Sequence, residues 1–526
     1  MWSVLRAQNC RTGELLYAEQ AKVARKEDLL RAIGQLSGRF RQRAGESLST
    51  IAQHPTWLSE ATTPSFEAWR SFTEGNRLAM LQGHAVGIPF LKRAIDIDPH
   101  FASALAVLGR DYSALGEMEL AREYTRRAFQ ERDRASDQER FFIKYSQDRI
   151  VTGNLEKALQ TAELWTRAYP RDVLGLSLYG AAAKVLGNFD KTVEENRKTI
   201  EVDADQPYAY AHLAMVAVFR NNYAEAQRWL ERASERKLTL PDFLMIRHLI
   251  AFLQGNQTEM ERVDLASEGM SEIQDWIWGE RADVLAFSGR LKQARLMSQH
   301  AVQVALGANR PEAAAQHEAA AAVREALFGN PIEARKRAAA AQSFSRGKDA
   351  QYGAALAFAF AGDSVRAEAL TKDLEQRYPE DTIVRFSFVP TLRAIAAIQR
   401  GAPEQALELL GPATRYELGW LGCCSVGFVG SLYPIYLRGE AYLALHRGTE
   451  AAAQFQRIID NRGIVGSNPI ALLAQWKRGK ALAMAGKSVD ADGEYQHFLS
   501  LWQEADADVP MLRGVKDESG RLVMRK

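Results

Sequence analysis

The chain has 526 residues, 47% of them hydrophobic and 25% charged, with a formal net charge of +2. That length exceeds one compact core and suits a short leading domain followed by a long array, and so small a net charge gives no global field favouring nucleic acid or anionic lipid. Three cysteines, Cys10, Cys423 and Cys424, form no C-x-x-C, so neither a disulfide framework nor a zinc ribbon is expected, and no apolar run of about 18 residues marks a membrane span.

Residues 2–9 and 15–23 read as two strands joined by a turn at Thr12-Gly13, and residues 27–52 as an amphipathic helix with Leu29, Leu30, Ile33 and Leu36 on one face. Two strands and a helix make a poor independent domain. Residues 1–60 therefore read as part of a larger α/β module that began upstream.

Beyond residue 65 the chain repeats itself about every 34 residues. Gly75, Gly109, Gly180, Ala214 and Ala282 share one place in the repeat, and Ala121, Ala158, Ala226, Ala294 and Ala334 another. Between them stands a Gly or Asn: Gly116, Gly153, Gly187, Asn221, Gly255 and Gly289. Each unit thus reads as two helices that approach closely at small residues, joined by a tight turn whose backbone angles suit Gly. On this reading Gly109→Ala is near neutral, whereas Gly109→Leu forces the helices apart. First helices are expected near Ala68, Ala102, Glu139, Val173, Pro207, Pro241, Asp275, Ala315, Lys348, Ser387, Leu432 and Leu472. Ser146 and His248, where a small residue is expected, mark two poorly matching units. Irregular stretches are expected near residues 307–311, 411–432 and 461–469, the middle one apolar and read as a buried crossing or hinge.

This pattern resembles the tetratricopeptide repeat (TPR) family over residues 65–501, in roughly twelve units. The expected fold is all-α: a helical-hairpin solenoid (65–415, with further units at 432–502) after a partial α/β segment (1–60), and a tail (503–526). A second resemblance lies in Asn9-Cys10-Arg11-Thr12-Gly13-Glu14, Glu19-Gln20, Lys26-Glu27-Asp28, Gly45-Glu46-Ser47-Leu48, Ala61-Thr62-Thr63-Pro64-Ser65 and the closing run 495–508. These are similar to the region that joins an α/β module to a TPR array in multidomain bacterial Ser/Thr protein kinases. The resemblance implies a docking or sensory region of a kinase-like signalling protein. A TPR region of a transcriptional regulator, with its DNA-binding domain elsewhere, is the competing reading.

No catalytic, cofactor or metal residues are assigned. Phosphoryl transfer needs a Gly-rich loop, a strand lysine, a catalytic loop and a D-F-G segment, and Asp242-Phe243 is followed by Leu244. Gly486-Lys487-Ser488 lacks the first glycine of a P-loop, where Ala481 stands, and His317-Glu318 lacks the second histidine of a zincin. The histidines read as solvated or satisfied, and the carboxylates as solvated outer-face residues in intrahelical pairs. The expected partner is a protein or peptide held in the groove of the first helices, with no cofactor and no direct nucleic-acid contact. Its candidate anchors are Trp69, Phe72, Tyr208, Met245, Trp276, Phe388, Tyr433, Tyr436 and Trp476, which could equally plug contacts between repeats.

Overall fold

Alternation of side chains sets the leading hairpin. In a computed structural model, which describes residues 2–8, 12–23, 28–43, 63–270, 273–420 and 432–523, strand Trp2–Gln8 pairs antiparallel with Leu15–Lys22. Leu5 stands opposite Glu19 and Ala7 opposite Tyr17. One face carries Tyr17 and Glu19 towards helix Leu29–Arg43, where the Tyr17 and Phe40 rings lie 4.8 Å apart and Arg43 meets Glu19 at 3.0 Å. Val4, Leu15 and Leu16 on the hairpin remain exposed. Cys10, the motif residues 9–11, 26–27, 45–48 and 61–62, and the apolar stretch 421–431 with Cys423 and Cys424 lie outside the described residues.

From Thr63 on, every regular element among the described residues is helical. The chain divides into two compact units, Met1–Val151 and Thr152–Lys526. The first contains the hairpins Phe66–Gln82 with His84–Ile97 and Ala102–Ala114 with Met118–Gln130, then helix Asp137–Ser146, which ends in a π-helical turn, Gln147–Val151. The boundary therefore falls in the unit whose sequence matches the repeat poorly.

The second unit opens with helix Leu155–Ala168. Hairpins follow: Val173–Val185 with Phe189–Val202, Pro207–Phe219 with Tyr223–Glu235, and Pro241–Leu253 with Gln257–Ala266. Next come Gln274–Phe287 with Leu291–Gly307, Pro311–Leu327 with Pro331–Phe344, and Lys348–Phe360 with Ser364–Arg377. Val389–Gln399 with Pro403–Leu410, Tyr433–Ala444 with Gly448–Asp460, and Pro469–Met484 with Ser488–Leu501 complete the array, and helix Pro510–Val523 closes it. First helices begin close to the expected places. The stretch near 307–311 is an ordinary three-residue link rather than an interruption, because Asn309 takes the turn conformation at φ 55° and Pro311 starts the next helix.

The turn chemistry explains the regularity. Gly153, Gly187, Asn221 and Gly255 have φ of 68, 79, 56 and 68°, and each is followed by an asparagine that caps the second helix. Asn154, Asn188, Asn222 and Asn256 accept from the N–H of Lys157, Lys191, Glu225 and Glu259 at 3.1–3.2 Å. The repeated alanines Ala121, Ala158, Ala214, Ala226, Ala282, Ala294 and Ala334 are all buried, as close helix approach requires.

The second unit then does what a 34-residue period does not specify: it coils back on itself. Thr382 N–H donates to Gly153 O at 3.0 Å, and Leu155 N–H donates to Thr382 Oγ1 at 3.0 Å. The same two-bond clamp recurs at Gly289, whose O accepts from Asp506 N–H at 3.0 Å while Lys292 N–H donates to Asp506 Oδ2 at 2.8 Å. Between them, Trp420 lies 5.4 Å from Phe219, and Asn221 Oδ1 accepts from Gly463 N–H at 3.0 Å. A Cβ on Gly463 would stand 1.8 Å from Val218 O, so backbone meets backbone there. Helix Pro207–Phe219 is consequently buried on nearly every side, as are Pro311–Leu327, Lys348–Phe360 and Tyr433–Ala444.

Candidate functional site

The coiling decides where the candidate anchors of the second unit stand. Met245, Phe388, Tyr433 and Tyr436 are 2, 0, 1 and 4% exposed, which removes them from any open groove. Met245 packs with Val263, Ile273 and Ile277. The Phe388 ring stacks on Tyr352 at 3.6 Å, Tyr436 meets Phe455 edge-on, and Tyr433 donates from its hydroxyl to Asn468 at 3.4 Å. These aromatics fill space between hairpins and between superhelical turns. Trp476 is half-buried but covered, since its Nε1–H donates to Glu518 of the closing helix at 2.8 Å. Trp69, Phe72, Tyr208 and Trp276 keep partial exposure. Phe72 leans on Phe101 at 5.0 Å and Trp69 on Phe66 at 6.3 Å within the first unit.

Trp276 stands at a pocket that the sequence reading did not assemble. Its other walls are Gly279, Glu280, Asp283, Ser298, His317, Ala320 and Arg324. Helices Gln274–Phe287, Leu291–Gly307 and Pro311–Leu327 bring these side chains together, and the link before helix Pro469–Met484 adds Ser467, whose hydroxyl donates to Glu280 at 2.9 Å. Arg324 donates to both Asp283 and Ser298. Asp275, one turn before Gly279, accepts from Arg310 and lies 3.1 Å from His317 Nε2. Among the described residues, His317 Nδ1 and Arg324 Nε have no protein partner. The cavity is about 10 Å³, room for one water.

Burial sets the electrostatics. It pushes the Glu280 carboxyl up to about 8, with the Asp283 charge adding and the Ser467 hydroxyl opposing. Asp283 is also raised by burial, against the pull of Arg324. For Asp275 burial acts upward too, but His317 and Arg310 outweigh it and hold the pKa below the ordinary value. At neutral pH Glu280 is therefore a neutral acid, able to donate as well as accept. Through the Ser467–Glu280 bond the pocket ties helix Gln274–Phe287 to the link before helix Pro469–Met484.

A related pair marks the other poorly matching unit. His248 is buried with Nε2 3.6 Å from Asp264, and burial brings its pKa down to about 4. Burial raises Asp264 to about 6.

Two expectations need correction. Many carboxylates are not on outer faces: Asp111, Glu195, Asp275, Asp283, Glu325 and Glu417 are buried, most beside an Arg, Lys or His. His317 is neither solvated nor fully satisfied. No signal in the sequence set the charged ones apart: Asp283 follows Glu280 and Arg281, and Arg324 precedes Glu325, as charges on a solvated helix face do.

The helices, turns and caps define a TPR-type helical-hairpin solenoid preceded by a two-stranded segment. No family model matches the chain, and no curated protein matches it significantly. Among solved structures it is similar to the TPR domain of P58(IPK), at 12% identity over 74% of this chain and 99% of that one, with a TM-score of 0.22. It is also similar to yeast Tom70, at 11% identity over 87% of this chain and 96% of that one, with a TM-score of 0.32. Overlaps this low carry no argument, and the fold rests on the geometry above.

Proposed function

We propose that the chain is a non-catalytic protein-interaction scaffold that takes a protein or peptide segment on the face of its first helices. The observation that carries this reading is the split among the anchors. Four are spent in the core, while Trp69, Phe72, Tyr208 and Trp276 remain half-exposed along first helices, where aromatic side chains supply contact area at low entropic cost. An open groove of about 540 Å³ with Tyr378, Val384, Val389 and Pro390 in its lining offers a second apolar floor. The motifs in residues 9–65 and 495–508 support a finer reading, as the docking or sensory region of a bacterial kinase-like signalling protein. The competing reading is a regulator's effector-sensing array.

Photo-crosslinking residues placed at Trp69, Tyr208 and Trp276, one at a time, test the scaffold reading in cells. A discrete adduct at these places, absent from a crosslinker at exposed Ile332, is the expected result. Equal labelling at all four sites removes the reading. The coding sequence upstream of Met1 tests the finer one: a kinase domain supports it, and a helix-turn-helix domain selects the regulator.

A further inference from the structure

The walls of the charged pocket differ in exposure. Trp276, Gly279, Glu280 and Ala320 keep partial exposure and form its mouth, whereas Asp283, Ser298, His317 and Arg324 are buried beneath them. Trp276, Gly279 and Asp283 recur at helical spacing on one face of helix Gln274–Phe287, and His317, Ala320 and Arg324 on one face of helix Pro311–Leu327. Among the described residues, this floor holds one donor and one acceptor that no protein group uses. Arg324 spends Nη1 on Asp283 and Nη2 on Ser298, which leaves its Nε–H over. His317 lies with Nε2 3.1 Å from Asp275 Oδ2. Against the upward push of burial, His317 and Arg310 hold the Asp275 carboxyl below its ordinary value, so it is an ionised acceptor and Nε2 carries the ring proton. The neutral imidazole then presents Nδ1 as an acceptor. A Cβ added to Gly279 would stand 2.9 Å from that nitrogen, which therefore faces the glycine at the mouth.

Charge and size narrow the ligand. Asp275 is matched by Arg310 and Asp283 by Arg324, so the site suits a neutral group. The cavity of about 10 Å³ admits one oxygen atom. A hydroxyl is the smallest side-chain group that accepts and donates at once. We propose that this pocket seats the hydroxyl of a serine or threonine in the protein segment that docks beside Trp276, the hydroxyl accepting from Arg324 Nε–H and donating to His317 Nδ1. The proposal rests on the scaffold reading and names what that face selects. The carbons of the guest side chain lie at the mouth, between the Trp276 ring and the Ala320 methyl. An apolar guest of the same shape would leave both buried polar atoms unsatisfied. A dianionic phosphate adds three acceptor oxygens and no donor for Nδ1, so phosphorylation of the guest residue blocks docking.

A phage library of short random peptides, panned on the full chain, supplies the probes. Selected peptides are synthesised with each serine changed to alanine, each threonine to valine, or either one phosphorylated, and are titrated into the parent protein. Loss of the hydroxyl at one position should weaken binding about tenfold, and phosphorylation there should abolish it. Gly279→Ala and Ala320→Val narrow the pocket without touching its charges, and each should bind the hydroxyl and hydroxyl-free peptides alike. Ala320 is half-exposed, so its variant folds even if alanine at Gly279 presses too hard on His317. Hydrogen exchange across 274–344 in the variant used should match the parent. Selected peptides that bind as well without any hydroxyl, or that keep the tenfold preference in both narrowed variants, overturn this proposal and leave the scaffold reading standing. A panning that yields no binder removes the scaffold reading and this proposal with it.

Discussion

The two compact units are built from one kind of hairpin and held together differently. In the first, bonds between units join neighbours: Arg110 reaches Asn76 at 3.1 Å, and Ser103 bonds Glu139 in the first helix of the following unit. In the second, bonds span more than 200 residues, from Gly153 to Thr382 and from Gly289 to Asp506. Neighbour-only contacts let repeats lose structure one at a time, with stability close to a sum of local terms. Contacts between successive superhelical turns tie distant hairpins into one transition, so the second unit should unfold more cooperatively than the first.

The sharpest way to break that difference is at Trp502, which is buried against Phe328 and Phe498 and hydrogen-bonded to Phe287 O. Trp502→Ala should cost about 3–5 kcal/mol and split the denaturation curve of the second unit into separate steps. A single unbroken transition in guanidinium at unchanged midpoint would show the seam to be idle. Gly463→Ala comes next. Its Cβ would press on the carbonyl of Val218, and overpacking of this kind costs about 1–3 kcal/mol. Hydrogen exchange should quicken in 207–235 and 433–484 together, although they are far apart in sequence, while 66–130 stays as in the parent.

Glu280 gives a pH handle on the same seam. Its pKa rises from 4.5 to about 8 on folding, so the neutral acid is the favoured form in the native state. The stability it contributes is full below pH 4.5 and is lost progressively as pH rises to about 8. Glu280→Gln should remove that slope, and the difference in urea midpoint between parent and variant should grow from pH 5 to pH 8. Subtracting the two proteins cancels His248 and Asp264, which titrate in both. A difference that does not change with pH would mean that Glu280 is charged throughout.

The smallest effect belongs to the first unit. An added Cβ at Gly109 would lie 2.4 Å from Thr125 Oγ1 and 3.1 Å from Ala121 O. The sequence reading held Gly109→Ala to be near neutral, but the buried Thr125 hydroxyl must turn away to admit it. Alanine's gain in helix propensity, about 1 kcal/mol, offsets part of that clash. The net loss should be about 1 kcal/mol, confined to 102–130 by hydrogen exchange and silent in the second unit.

These contrasts also mark what could be read from the amino acids. Small residues at 34-residue spacing with a Gly or Asn between them encode a hairpin locally, so the turns at Gly187 and Asn221 were legible without any partner. The leading hairpin was legible from alternation and its Thr12-Gly13 turn. The seam was not, because Thr382, Trp420, Gly463 and Asp506 stand outside the repeat and act on residues in other units. Hence Phe388, Tyr433 and Tyr436 were read with the groove although they are core. The charged pocket escaped for the same reason. Asp283 and Arg324 sit 41 residues apart on different hairpins, and each alone resembles an ordinary surface charge.

One consequence of the two clamps concerns how such a chain can change length over evolutionary time. Six hairpins, from residue 173 to 377, separate Gly153 from Thr382. An open array can gain or lose a repeat anywhere, since each unit meets only its neighbours. Here a duplication or deletion between Gly153 and Thr382 would carry Thr382 past Gly153 by one whole unit, and one between Gly289 and Asp506 would do the same to Asp506. The repeat number of the second unit is therefore fixed as strictly as the strand number of a closed barrel, while the first unit stays free to grow.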